Sequence, residues 1–179
     1  MSLLIGIDPG PRHSAVVVYN SLSIFYPDVL PRHVRIFNAM LKPLLCEITD
    51  ERFVEAIGIE AMASYGLPVG EEVLTTCMWI GRLVEMLETM DMPPYLFPRQ
   101  TILSCLDVSR TGKGKAYKST DANVRHSILT MYGGAKDGLG TKEQPGPLYG
   151  LAADEWSAFA VALTLEQKLI DEAAKEEKR

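Results

Sequence analysis

The chain has 179 residues, 47% of them hydrophobic and 23% charged, with a formal net charge of -5. It is long enough for one domain with a substantial core, and no apolar stretch approaches the eighteen or so residues of a membrane span. The acidic balance, with a pI near 5.2, excludes a surface that is basic all over, the usual footprint of a nucleic-acid binder.

Residues 2–8 read as a buried strand ending in "IDPG". Taken alone, Asp8 is an ordinary turn former, with Pro9 presetting the backbone. "SAVVVYN" (14–20) reads as a second strand paired back through the PGP turn, and His13 is read as a turn residue in preference to a substrate-facing one. Two prolines in "IFYPDVLPRHVRIF" restrict that stretch to one short strand near 33–37, and a helix is expected from about Asn38 to Phe53. "VEAIGIE" (54–60) is another buried strand, and it too ends in an acid, Glu60. Val73, Cys77, Ile80, Val84 and Leu87 then recur at mostly helical spacing, with Glu71 and Glu72 in the first turn. The Met and Trp residues of this helix are expected in the core. "YLF" reads as a short strand, Pro98 opens a helix to about Leu106, and Thr120 is a candidate N-cap for the next. The segments "SRTGKGKAYKS" and "GGAKDGLGTKEQPGP" read as loops, and a final helix is expected from about Leu151 to Lys168. A single domain over 1–170 with a charged tail at 171–179 follows.

The N-terminus has no charged region followed by a cleavable apolar segment, so a cytoplasmic location is expected. Cys46, Cys77 and Cys105 stand far apart among apolar residues and form no CxxC pair, which points to buried free thiols.

Charge is unevenly spread. The stretch from Pro98 to Arg125 carries Arg99, Arg110, Lys113, Lys115, Lys118 and Arg125 against only Asp107 and Asp121, whereas the C-terminus is rich in acids. Acids also mark the strand ends: if the strands ending in Asp8 and Glu60 are parallel neighbours, both carboxylates emerge at one edge of the sheet. Asp154 and Glu155 open the last helix, where the helix dipole favours a carboxylate. Adjacent helical residues point about 100° apart, and Asp154 is the one in register with the apolar positions 158, 161 and 165. Glu155 is expected in solvent. Three converging carboxylates would raise one another's pKa unless a divalent cation neutralised them; magnesium suits such a set, and two such ions about 4 Å apart would stabilise the attacking and leaving oxygens of a phosphodiester displacement.

"IGIDPG", "IGIEAMASYG", "YLFPRQTI", "GKGKAYKSTDANVRHSI" and "AADEWSAFAVAL" follow one another in the order and approximate spacing of the RuvC-type Holliday-junction resolvases of the RNase H-like superfamily. The resemblance covers roughly residues 3–163, and "PGPLYG" resembles phage and prophage versions. It implies an α/β fold with a mixed β-sheet flanked by α-helices, a homodimer, and metal-dependent paired hydrolysis of phosphodiester bonds in a four-way DNA junction. Asp8, Glu60 and Asp154 match the family's metal-binding carboxylates, and Lys118 matches a lysine near the phosphate. The implied cofactor is Mg2+, with Mn2+ as a substitute. Arg99, Lys113, Lys115, Lys118 and Arg125 are the expected DNA contacts, directed mainly at backbone phosphates. The chain departs from the family at Leu151, where a fourth ligand, Asp or His, usually stands, and at "PRHSA", where the turn is usually richer in glycine.

Other classes remain open on the residues alone. "IGIDPG" also resembles the first phosphate loop of actin-like ATPases and sugar kinases, although the chain is too short for two such lobes and lacks their adenosine-side glycine motif. A broader branch or flap endonuclease and a catalytically silent DNA-binding module are the other two readings.

Overall fold

In the computed structural model, residues 3–20, 32–63, 68–108 and 121–177 are described. Five strands, β1 (Leu3–Pro9), β2 (His13–Asn20), β3 (Arg32–Phe37), β4 (Val54–Ala61) and β5 (Tyr95–Pro98), form one sheet in the order β3-β2-β1-β4-β5. β2 pairs antiparallel with both β1 and β3, whereas β4 pairs parallel with β1 and β5, so the sheet is mixed. The helices are α1 (Leu41–Glu51), α2 (Glu71–Thr89), α3 (Arg99–Cys105), α4 (Asp121–Met131), α5 (Gly134–Leu139) and α6 (Glu155–Glu176), with a short 3-10 turn at Asn38–Met40 ahead of α1.

Side chains alternate across a strand, and here the alternation divides the core into two layers. Leu3, Ile5 and Ile7 of β1 join Ile57 and Ile59 of β4 beneath Leu41 and Leu45 of α1 and Leu83 and Leu87 of α2. On the opposite face Leu4 and Ala56 lie with Val17 and Tyr19 of β2 under α3, α4 and α6. The α6 residues from Trp156 to Leu165 are buried. It comes down on the sheet at two glycines: a Cβ on Gly6 would collide with the helix backbone, at the carbonyl oxygen of Ala158 and the amide of Ala162, and one on Gly58 would lie 3.0 Å from the Val161 side chain at Cγ1.

Several expectations are corrected. The buried stripe of α2 is Thr76, Ile80, Leu83 and Leu87, while Val73 and Cys77 are exposed and Val84 is half-buried. This helix carries apolar residues around most of its circumference, so two phases fit its sequence and packing selects one. Cys77 and Cys105 are exposed and Cys46 is half-buried, so the thiols are free but not sunk in the core. Met78 is likewise exposed, and Trp79 carries the Arg82 guanidinium 4.4 Å from its ring centre. Part of the second expected loop is α5, started by the left-handed Gly133 and Gly134. The last helix begins four residues later than expected and continues to Glu176.

The glycine contacts give a paired prediction. Gly6→Ala forces a methyl group into helix backbone and is expected to cost about 3 kcal/mol, whereas Gly81→Ala, in open space on α2, is expected to stabilise by about 1 kcal/mol. Urea unfolding of the two variants checks both signs, and a neutral Gly6→Ala would refute the tight seating of α6.

Candidate active site

Ile7 pairs with Ile59 in the parallel ladder, so Asp8 and Glu60 are the next residues along two adjacent strands. Each lies two positions beyond a glycine that meets α6, and the two-residue period of a strand therefore turns both carboxylates to the α6 face. The turn beyond Asp8 is pinned. Gly10 N–H donates to the His13 carbonyl (3.0 Å), Asn38 Nδ2 donates to the Gly10 carbonyl (2.9 Å), and Ser14 Oγ donates to Asn38 Oδ1 (2.8 Å). His13 begins β2 and packs against Phe37, the ring centres 4.1 Å apart and the planes tilted by 35°.

Arg99 enters this site from the first residue of α3, directly after β5. Its Nη1 donates to Glu60 Oε2 (3.2 Å), more weakly to Glu60 Oε1 (3.5 Å), and to Ser157 Oγ of α6 (3.4 Å), while Nη2 donates to Asp121 Oδ1 (2.6 Å). The Arg99 and Glu60 side chains are only 22% and 16% exposed. The first residue of the basic segment thus lies among acids rather than on an open surface.

The electrostatics follow from this burial. The Asp8 carboxyl is pushed up to about 8, first by desolvation, then by the charges of Glu60 and Asp154, with Arg99 opposing. Burial also raises Glu60, against the charge and hydrogen bonds of Arg99.

The α6 acids exchange their expected roles. Glu155 is buried: its Oε2 accepts the Ala152 N–H (2.8 Å) and lies 2.8 Å from His33 Nδ1. Asp154 is the half-exposed N-cap, and its Oδ2 accepts from Arg35 Nε of β3 at 3.2 Å. Ala153, with φ of 41°, turns the chain just ahead of it and sets this phase. Leu151 is buried, and its carbonyl accepts from Trp156 Nε1 (3.1 Å). The Arg125 guanidinium lies 5.3 Å from the Trp156 ring centre on the exposed side of α4. Lys113, Lys115, Lys118 and Thr120 lie outside the described residues.

Two groups of residues escaped the sequence reading. Ser157 completes the Arg99 cradle, and Arg12 and Arg35 line a groove of about 640 Å³ together with His13 and the acids Glu71, Glu72 and Asp154. The available signal for the arginines was the basic "PRHVRIF" on an edge strand and the Arg in the β1–β2 turn.

Among the described residues, no three of His, Cys, Asp and Glu form a group that could hold a metal ion. The pair Asp8 and Glu60 still fits magnesium, which takes one or two protein carboxylates and leaves its other positions to water and phosphate oxygens. The donor chemistry agrees, because both carboxyls are held above their ordinary range and a divalent cation would favour their charged forms.

This pairing carries a stability prediction. Because the folded-state value for Asp8 lies above 3.8 and near 8, the native state retains a proton that the unfolded chain has released between about those values. Native stability therefore falls as pH rises through the window, by at most about 1.4 kcal/mol for each pH unit crossed. Without added metal, Asp8→Asn is expected to melt above the native protein at pH 8, with the advantage shrinking toward pH 4. Thermal unfolding across this range tests it, and equal melting at pH 8 would contradict it.

No protein-family model matches the chain, and no curated protein sequence matches it. Solved structures do. The Thermus thermophilus RuvC structure determined in complex with Holliday junction substrate is 17% identical, with a TM-score of 0.56 and 92% of each chain covered. A second Thermus thermophilus RuvC structure is 16% identical, with a TM-score of 0.57 and coverage of 90% of this chain and 92% of that one. At such identities the likeness is one of fold, and the mixed five-stranded sheet with helices on both faces is the RuvC-type, RNase H-like fold.

Proposed function

We propose that this protein is a metal-dependent endonuclease that resolves four-way DNA junctions by paired phosphodiester hydrolysis. The observation that carries the reading is the juxtaposition of Asp8 and Glu60 at the ends of adjacent parallel strands, both raised by burial and both facing the first turns of α6. The RuvC-type fold and the order of the sequence motifs support the choice of substrate, since one of the similar structures is of a RuvC bound to a Holliday junction. "PGPLYG" is the feature that favours a phage or prophage form.

Asp8 and Glu60 would hold Mg2+, or Mn2+ in its place, with Asp154 as a further ligand once it leaves Arg35. The bound ion supplies Lewis acidity toward a phosphate oxygen and lowers the pKa of water. The residues of the chain do the positioning. The pinned β1–β2 turn keeps Asp8 in place, Arg99 fixes the Glu60 carboxylate, and Arg12 and Arg35 offer the neighbouring groove cations for phosphates. Lys118, three residues before the Arg99-bound Asp121, is assigned to the scissile phosphate. Lys113, Lys115 and Arg125 are assigned to flanking backbone, where contacts add affinity more than sequence preference.

Two symmetric nicks call for two copies of the site. We assign a homodimer, with the exposed Leu74 and Met78 of α2 as the apolar face suited to the second copy. Light scattering is expected to give a dimer for the native chain and a monomer for the double variant Leu74→Glu, Met78→Glu. A native monomer at working concentration would remove the paired mechanism.

The activity test uses magnesium with a mobile four-way junction, a flap and plain duplex. Paired nicks in the junction are expected, with Asp8→Asn and Glu60→Gln slower by about a thousandfold but still binding the junction. Unchanged nicking by either variant refutes the site. Equal cleavage of the flap makes the protein a general branch nuclease, and tight binding without cleavage makes it a silent DNA-binding module.

A further inference from the structure

We propose that Arg99 is a built-in counter-ion that stands in place of a second divalent cation, so that each chain holds a single metal ion between Asp8 and Glu60. The inference rests on the metal-centre reading above and extends it to the number of ions and the role of one arginine.

The cradle of Arg99 is assembled from separate parts of the fold. The guanidinium starts on α3 and reaches Glu60 on β4, Ser157 on α6 and Asp121 at the start of α4. A planar guanidinium bonded on two edges is a fixed, permanently charged group, unlike a lysine that can swing aside. Two-metal sites place their ions about 4 Å apart, sharing ligands. At this site a second ion sharing Glu60 would have to come up against Arg99, whose Nη1 lies 3.2 Å from one Glu60 oxygen and 3.5 Å from the other, and the two positive charges would repel.

Of the other acids at this end of the sheet, Glu71 and Glu72 face the groove lined by Arg12 and Arg35, and among the described residues none completes a group of three that could hold an ion. Asp121 is bound by Arg99 at 2.6 Å, and Asp154, half-exposed and 3.2 Å from Arg35, is the further ligand that would join Asp8 and Glu60 around the same ion. Leu151 is buried and offers no side-chain ligand, while its carbonyl already accepts from Trp156. Among the described residues, therefore, the carboxylates sustain one ion, and Arg99 supplies the rest of the positive charge. Arg99 is a positioning residue in this account: it holds the Glu60 carboxylate, mainly through Oε2, and balances the remaining charge.

The test titrates Mn2+ alone into the purified full-length chain and counts bound ions from the loss of the free-ion resonance signal. One Mn2+ per chain is expected for the native protein and for Arg99→Lys, which keeps the charge, and none at this site for Asp8→Asn. Arg99→Gln is expected to bind Mn2+ about tenfold more tightly, or to take up a second ion, because two carboxylates lose their cation. A purely structural role for Arg99 predicts the opposite, weaker Mn2+ binding in Arg99→Gln. Two ions per native chain, or unchanged or weaker binding in Arg99→Gln, would overturn the inference while leaving the metal centre in place. No saturable Mn2+ binding by the native chain would overturn both. The native count decides the matter even if Arg99→Gln does not fold.

Discussion

The close seating of α6 on the sheet at Gly6 and Gly58 is the constraint from which the rest of the site follows. Only glycine lets the helix backbone come so near β1, and Gly58 leaves room on β4 for the Val161 side chain. With the helix at that distance, the two-residue strand period brings Asp8 and Glu60 out just beyond the contact, on the helix side and beside each other. The same contact carries Ser157 to Arg99. A wider helix–sheet spacing would leave the acids in open solvent, where their carboxyls would keep ordinary proton affinities.

Holding two carboxylates together under a helix works against stability, and the structure shows how the conflict is moderated. Burial raises both carboxyls, and the Asp8 proton is retained to about pH 8. Arg99 offsets part of the charge on Glu60, at a site dry enough for the pairing to count, whereas the half-exposed Arg35–Asp154 pair is screened by water. The net negative charge that remains is what a magnesium ion is suited to complete. An acidic protein can thus gather cations locally, as Arg12 and Arg35 line one groove together with Glu71, Glu72 and Asp154, while its average charge stays negative.

Much of this was legible in the sequence because it depends on local pattern. The apolar runs "LLIGI" and "VEAIGI" are strands, and the acids at their ends sit where the parallel ladder brings them together. The mixed sheet and its flanking helices follow from the same alternation. What was not legible depends on tertiary contact. Arg99 was visible only as the first charge of a basic segment, since its partners Glu60, Asp121 and Ser157 are distant in sequence. The exchange of roles between Asp154 and Glu155 turns on one left-handed residue, Ala153, which no propensity marks. On α2, two overlapping apolar stripes share Ile80 and Leu87, and only the neighbouring strands and α1 decide that Leu83 goes inward and Cys77 outward.

The central claim is that Asp8 and Glu60 together form the metal centre. It is tested most directly by crystals of the protein soaked with Mn2+ and measured at a wavelength where manganese scatters anomalously. The account predicts an anomalous peak within bonding distance of both carboxylates. A peak elsewhere in the chain, or none at these two residues with the ion in excess, would contradict it.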